Sequence, residues 1–156
     1  MANYRQSRCI EGSIIDFLQE NFDNDWTGVS VEKSFARVYS IDLPVICIRA
    51  SDTIHDKAEI GGNSTIRTVQ VLIDIFASDD GQKLDFSDYI VSKLKNGCIY
   101  YEYTTNGASR SANGRIRITS IEVTPVNFNT PKNELDVHDR HRALITLSIS
   151  LGRVEE

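Results

Sequence analysis

The chain has 156 residues, 40% of them apolar and 25% charged, with a formal net charge of 17 − 22 = −5. This is ordinary globular composition, enough for one domain that buries roughly 70% of its unfolded surface, so disorder is not the default reading. The acidic balance disfavours wrapping of nucleic acid, which Lys and Arg drive, and no apolar run approaches the roughly 20 residues that span a bilayer.

No basic-then-apolar leader opens the chain, so the expectation is a soluble cytosolic product. It reads as a single domain over 1–156, with an ordered core from about residue 6 to about 152. Cys9, Cys47 and Cys98 are odd in number, far apart and without CxxC spacing. That disfavours a disulfide framework or a thiolate metal site and favours small buried hydrophobes.

Residues 6–22 read as a helix, with Ile10, Ile14, Phe17, Leu18 and Phe22 in a stripe and Ser7 as its N-cap. The polar stretch 21–28 (NFDNDWTG) ends it, and Trp26 there reads as a lid on the core. Residues 29–39 and 44–51 are strand candidates, the second bounded by Pro44. Residues 51–64 (SDTIHDKAEIGGNS) form a long polar connection, the first candidate contact surface.

Residues 65–78 (TIRTVQVLIDIFAS) alternate with a period of two: Val69, Val71, Ile73 and Ile75 face one way. The opposite face mixes Thr68, Gln70 and Asp74 with Leu72 and Phe76, which calls for something to cover it. A helix follows, capped by Ser78 or Asp79, favoured by acidic Asp79 and Asp80, and stopped at Gly97. Its stripe is Phe86, Ile90 and Leu94, with Leu84 and Val91 beside it. Strands are expected at 98–103, 115–128 and 142–151, separated by polar connections at 104–113 and 127–141. The order α-β-β-β-α-β-β-β makes an α+β domain, a mainly antiparallel sheet with two amphipathic helices packed on one face.

Motifs for chemistry are sparse: GxSxG, the P-loop, HExxH and GxGxxG are all missing from the sequence. The one constellation of ligand-type residues is Asp136, His138, Asp139 and His141, which would suit a metal-dependent or acid–base enzyme. The interleaved Arg140 and Arg142 repel a cation and favour a charged turn in which they pair with Asp136 and Asp139. His55 reads as a solvated loop histidine. Arg110, Arg115 and Arg117 near Tyr100, Tyr101 and Tyr103 raise single-stranded nucleic acid binding as a weaker reading. The strand period splits those rings between two faces, and the acidic total opposes it. A binding or assembly module remains.

The layout of residues 9–151, above all the strand and acidic turn RTVQVLIDIFASDDG running into an amphipathic helix over 65–94, resembles the tail-terminator and tail-completion proteins of long-tailed bacteriophages. Related head–tail connector and tail-tube proteins share much of this layout. The resemblance implies a structural virion protein without enzymatic activity, cofactor or membrane association, assembled in the host cytoplasm. It implies a hexameric ring that caps the tail tube, stops its polymerisation and meets the head connector, with DNA passing through but not bound specifically. The interface residues then expected are Asp56, Lys57, Glu59, Gly61 and Gly62 in the first long connection, and Leu72 and Phe76 on the sheet. Asp79 and Asp80 at the acidic turn, with Arg110 and Arg115, complete the set.

Overall fold

A computed structural model describes residues 6–33, 35–57, 60–61, 65–104, 106–107, 109–126, 130–150 and 154–155. The elements are α1 (Gln6–Asp25), β1 (Ser30–Glu32), α2 (Phe35–Val38), β2 (Val45–Lys57), β3 (Thr65–Phe76) and α3 (Asp80–Leu94). They continue with β4 (Cys98–Tyr103), β5 (Arg110–Val126), β6 (Arg142–Ser150) and β7 (Val154–Glu155), with 3-10 turns at Lys132–Glu134 and Val137–Asp139. The fold is α+β, and the sheet runs β1-β2-β3-β6-β5-β4 with β7 alongside β3. Every pairing is antiparallel except β1 with β2.

The period of two places the core. Val69, Val71, Ile73 and Ile75 of β3 lie opposite Ile149, Leu147, Ile145 and Ala143 of β6, so two apolar rows meet on one face. Ile46 and Ile48 of β2 extend the row, opposite Ile75 and Ile73. Onto this face α1 lays Ile10, Ile14, Leu18 and Phe22, and α3 lays Phe86, Ile90 and Leu94, all at most 1% exposed. Each such side chain contributes about 1.5–3 kcal/mol by leaving water. Phe22 meets Phe86 edge-on at 5.4 Å, and Trp26 closes over Phe86 at 4.8 Å, the lid expected of it.

α1 also seals the ends of the sheet. Ser13 Oγ accepts the Tyr101 N–H of β4 at 2.9 Å, and Glu11 accepts the Ala50 N–H of β2 at 2.8 Å. Gln19 accepts the Val31 N–H of β1 at 3.1 Å. One helix, about 10 Å wide, thus reaches strands at both ends of the sheet, which must curl to bring them together. Strand edges that would otherwise invite pairing are capped by side chains.

Several boundaries differ from expectation. Residues 29–39 yield only the short β1 and α2. The first half of the first long polar connection is strand, since β2 runs on to Lys57. β5 starts at Arg110, which shortens the second connection. Ser7 lies inside α1, where its hydroxyl bonds Arg67, so it is no cap. Leu84 points outward, 62% exposed. Asp79 is the cap of α3: it accepts from Gln82 N–H at 2.7 Å, while Gln82 accepts from Ser78 N–H at 2.7 Å.

Candidate interaction surfaces

The second sheet face carries a correction. Phe76 is fully buried, enclosed with Val38, Val45 and Cys47 by the segment that follows β1. Tyr39 meets its ring edge-on at 6.1 Å, and the Arg142 guanidinium lies 4.5 Å above it. The chain's own α2 region therefore covers Phe76, which is closed to a neighbour. Leu72 stays half-exposed on the same face. Between them Asp74, 3% exposed, meets Arg142 at 3.2 Å and Arg49 at 3.4 Å.

Past a bulge between Ala50 and Thr53, β2 and β3 continue as an arm paired from Thr53↔Val69 to Lys57↔Thr65, with β7 alongside β3 at Thr65 and Ile66. At about 3.4 Å per residue these rows reach roughly 17 Å. Ile54, Asp56, Ile66 and Thr68 share one face of the arm, with Asp56 directly opposite Ile66. Ile54 is 56% exposed and Ile66 43%. On the other face Arg67 anchors the arm, donating to Gln6 Oε1 at 3.0 Å and to the Ser7 hydroxyl. Of the residues expected here, Asp56 and Lys57 are exposed on the arm, and Gly61 holds φ +79 in an open turn. Glu59 and Gly62 lie outside the described residues. Ile54 and Ile66 escaped notice, although Thr53-Ile54 and Thr65-Ile66, placed about Gly61-Gly62, are β-branched signals of a hairpin.

The acidic turn is engaged within the chain. Asp79 caps α3, and Asp80 meets His141 Nδ1 at 2.8 Å and Lys83 at 3.4 Å. The ligand-type constellation separates accordingly. His138 is buried, its Nδ1 3.0 Å from Asp136 and its Nε2 2.7 Å from the Ile41 carbonyl. It thus ties the last 3-10 turn to the segment covering Phe76. Hydrogen bonds from the His138 backbone and ring hold the Asp136 carboxyl below the usual range. Asp139 pairs with Arg142 at 3.3 Å, as the charged-turn reading expects, and accepts from Tyr39 at 2.8 Å. Arg140 instead donates to the Leu135 carbonyl. Among the described residues no group of three His, Cys, Asp or Glu side chains converges as metal ligands do.

Arg110 and Arg115 border a cleft of about 330 Å³ between α1 and the β4–β5 hairpin. Arg110 lies 4.0 Å over the Tyr101 ring and pairs with Asp16 at 3.0 Å, and Asp16 also takes the Tyr103 hydroxyl at 2.6 Å. Tyr100 turns into the core instead. The rings thus do part between faces, leaving no stack of three for bases. No helix among the described residues is long and apolar enough to cross a membrane. No family model matches the chain, and no curated protein is similar to it in sequence.

Proposed function

We propose that this chain is a ring-forming structural subunit of a bacteriophage tail or neck, a tail terminator that caps the tail tube, stops its polymerisation and receives the head connector. The observation that carries the reading is the β2–β3 arm, which presents exposed Ile54 and Ile66 on the face opposite Arg67, the residue that ties it to α1. Exposed apolar side chains on a strand face lose little and gain much when another protein covers them. The helix-backed sheet agrees with the layout that suggested the family. In this reading the subunit contacts copies of itself, the tail-tube protein and the connector, acts without cofactor or catalysis, and resides in the virion, with DNA passing through the ring but not bound specifically.

Light scattering over a concentration series, followed by negative-stain imaging, tests this. A closed ring with six-fold symmetry is the expected result. A strict monomer at every concentration, unable to cap purified tail tubes, overturns it. The opposing reading, an enzyme that uses Asp136, His138 and His141, requires those groups to act together, whereas the two imidazoles face different partners. Replacing both histidines with alanine should leave assembly intact.

A further inference from the structure

The arm and the cleft are complementary. Ile54 and Ile66 share a face of the arm with Asp56, an exposed carboxylate with no ion-pair partner among the described residues. The cleft offers Phe17, Ile99 and Tyr101 together with the cations Arg110 and Arg115, and α1 adds the polar Glu20, Asn21 and Asn24 to its wall. Arg110 is already ordered by Asp16 and Tyr101. Arg115 is exposed, lies directly opposite Ile99, and donates only to the Asn96 carbonyl at 3.1 Å, with no carboxylate partner among the described residues. The arm thus offers an apolar pair beside an unpaired anion, and the cleft offers Phe17 and Ile99 beside an unpaired cation.

They cannot meet within one chain. The arm is anchored at Gln6 and Ser7, whereas the cleft is lined by α1 from Phe17 to Asn24. At 1.5 Å per residue the two lie roughly 15–25 Å apart along one helix. We propose that the β2–β3 arm of one copy docks in the α1/β4–β5 cleft of the next, with Ile54 and Ile66 against Phe17 and Ile99 and Asp56 paired to Arg115. Such a contact joins two different patches, so repetition in one sense closes a ring or extends a filament. The proposal deepens the ring-subunit reading and rests on its claim that the chain meets itself.

Cysteine cross-linking tests it in the full chain. Cys9, Cys47 and Cys98 are at most 2% exposed, so introduced thiols report alone. In an equal mixture of the Asp56→Cys and Arg115→Cys proteins, mild oxidation should give disulfide dimers of unlike chains. Each protein alone should give none. Asp56→Arg or Arg115→Asp should weaken self-association by about tenfold or more, and the double charge swap should restore it. In the unmodified protein, hydrogen exchange should slow together at the arm and the cleft as concentration rises. Cross-links between like chains, or a monomer without cross-links at all concentrations, overturn the contact. Rings that form without the unlike cross-link overturn the contact alone. Unlike cross-links in open or non-capping assemblies keep it and remove the terminator reading.

Discussion

Replacing Ser13 with alanine measures how firmly α1 seals the sheet. Ser13 is fully buried, and its hydroxyl both accepts from Tyr101 N–H at 2.9 Å and donates to the Cys9 carbonyl at 2.6 Å. Without that oxygen the strand amide faces the helix with no acceptor, which costs about 1–3 kcal/mol. Alanine recovers about 0.5 kcal/mol of helix propensity, leaving a net loss of about 0.5–2.5 kcal/mol. With a urea m-value of about 2 kcal/mol per molar, the midpoint should fall by roughly 0.3–1.2 M. Circular dichroism through a urea titration reads the shift, and hydrogen exchange should show the Tyr101 amide losing protection. Glu11→Ala is the comparison: Glu11 is itself partly exposed where Ser13 is fully buried, so water substitutes more readily and the loss should be smaller. An unchanged midpoint with an equally slow Tyr101 amide would refute the sealing role of α1.

Gly97→Ala should cost about 3 kcal/mol, because φ is +75 and the added Cβ would stand 2.1 Å from the Ile116 carbonyl oxygen. Gly61→Ala, at φ +79 in open space, should cost only about 1 kcal/mol; thermal unfolding of the two separates clash from conformation. Burial pushes the Cys47 and Cys98 thiols up to about 11, so a disulfide reagent at pH 8 should leave both unreacted until urea unfolds the chain. Burial, with hydrogen bonds to Asp25 and Asp16, raises the Tyr89 and Tyr103 phenols well above the ordinary value of 10.0. The unfolded chain then loses these protons first, so this stability is complete below about pH 10 and declines as pH rises beyond it. Tyr89→Phe with Tyr103→Phe should flatten that decline in unfolding curves taken at alkaline pH.

The strands and helices that were easiest to read carry regular apolar spacing over long runs. Alternation in 65–76 and 142–150 marked the central pair, and four-residue spacing marked α1 and α3. The arm was hidden because its first strand, Thr53 to Lys57, is mostly polar and exposed, which is the composition of a loop. Only pairing with 65–69 makes Thr53 to Lys57 a strand. Phe76 differs for the opposite reason: its cover comes from Val38, at the end of a helix too short to show a periodicity, and from Tyr39 just after it. Asp136, His138 and His141 looked like one constellation because spacing in sequence says nothing of direction. The 3-10 turn aims His138 at Ile41 and leaves His141 beside Asp80.

By itself the sequence determined the class of fold, the identity of the core face and the acidic cap of α3, since each depends on neighbours within a few positions along the chain. Tertiary structure decided the rest: that Glu11, Ser13 and Gln19 serve strand edges, that Phe76 is enclosed, and that Ile54 and Ile66 stand together on an arm. Those features join residues tens of positions apart. No local pattern encodes which polar side chain will find an unpaired amide, or which isoleucine will be left facing water.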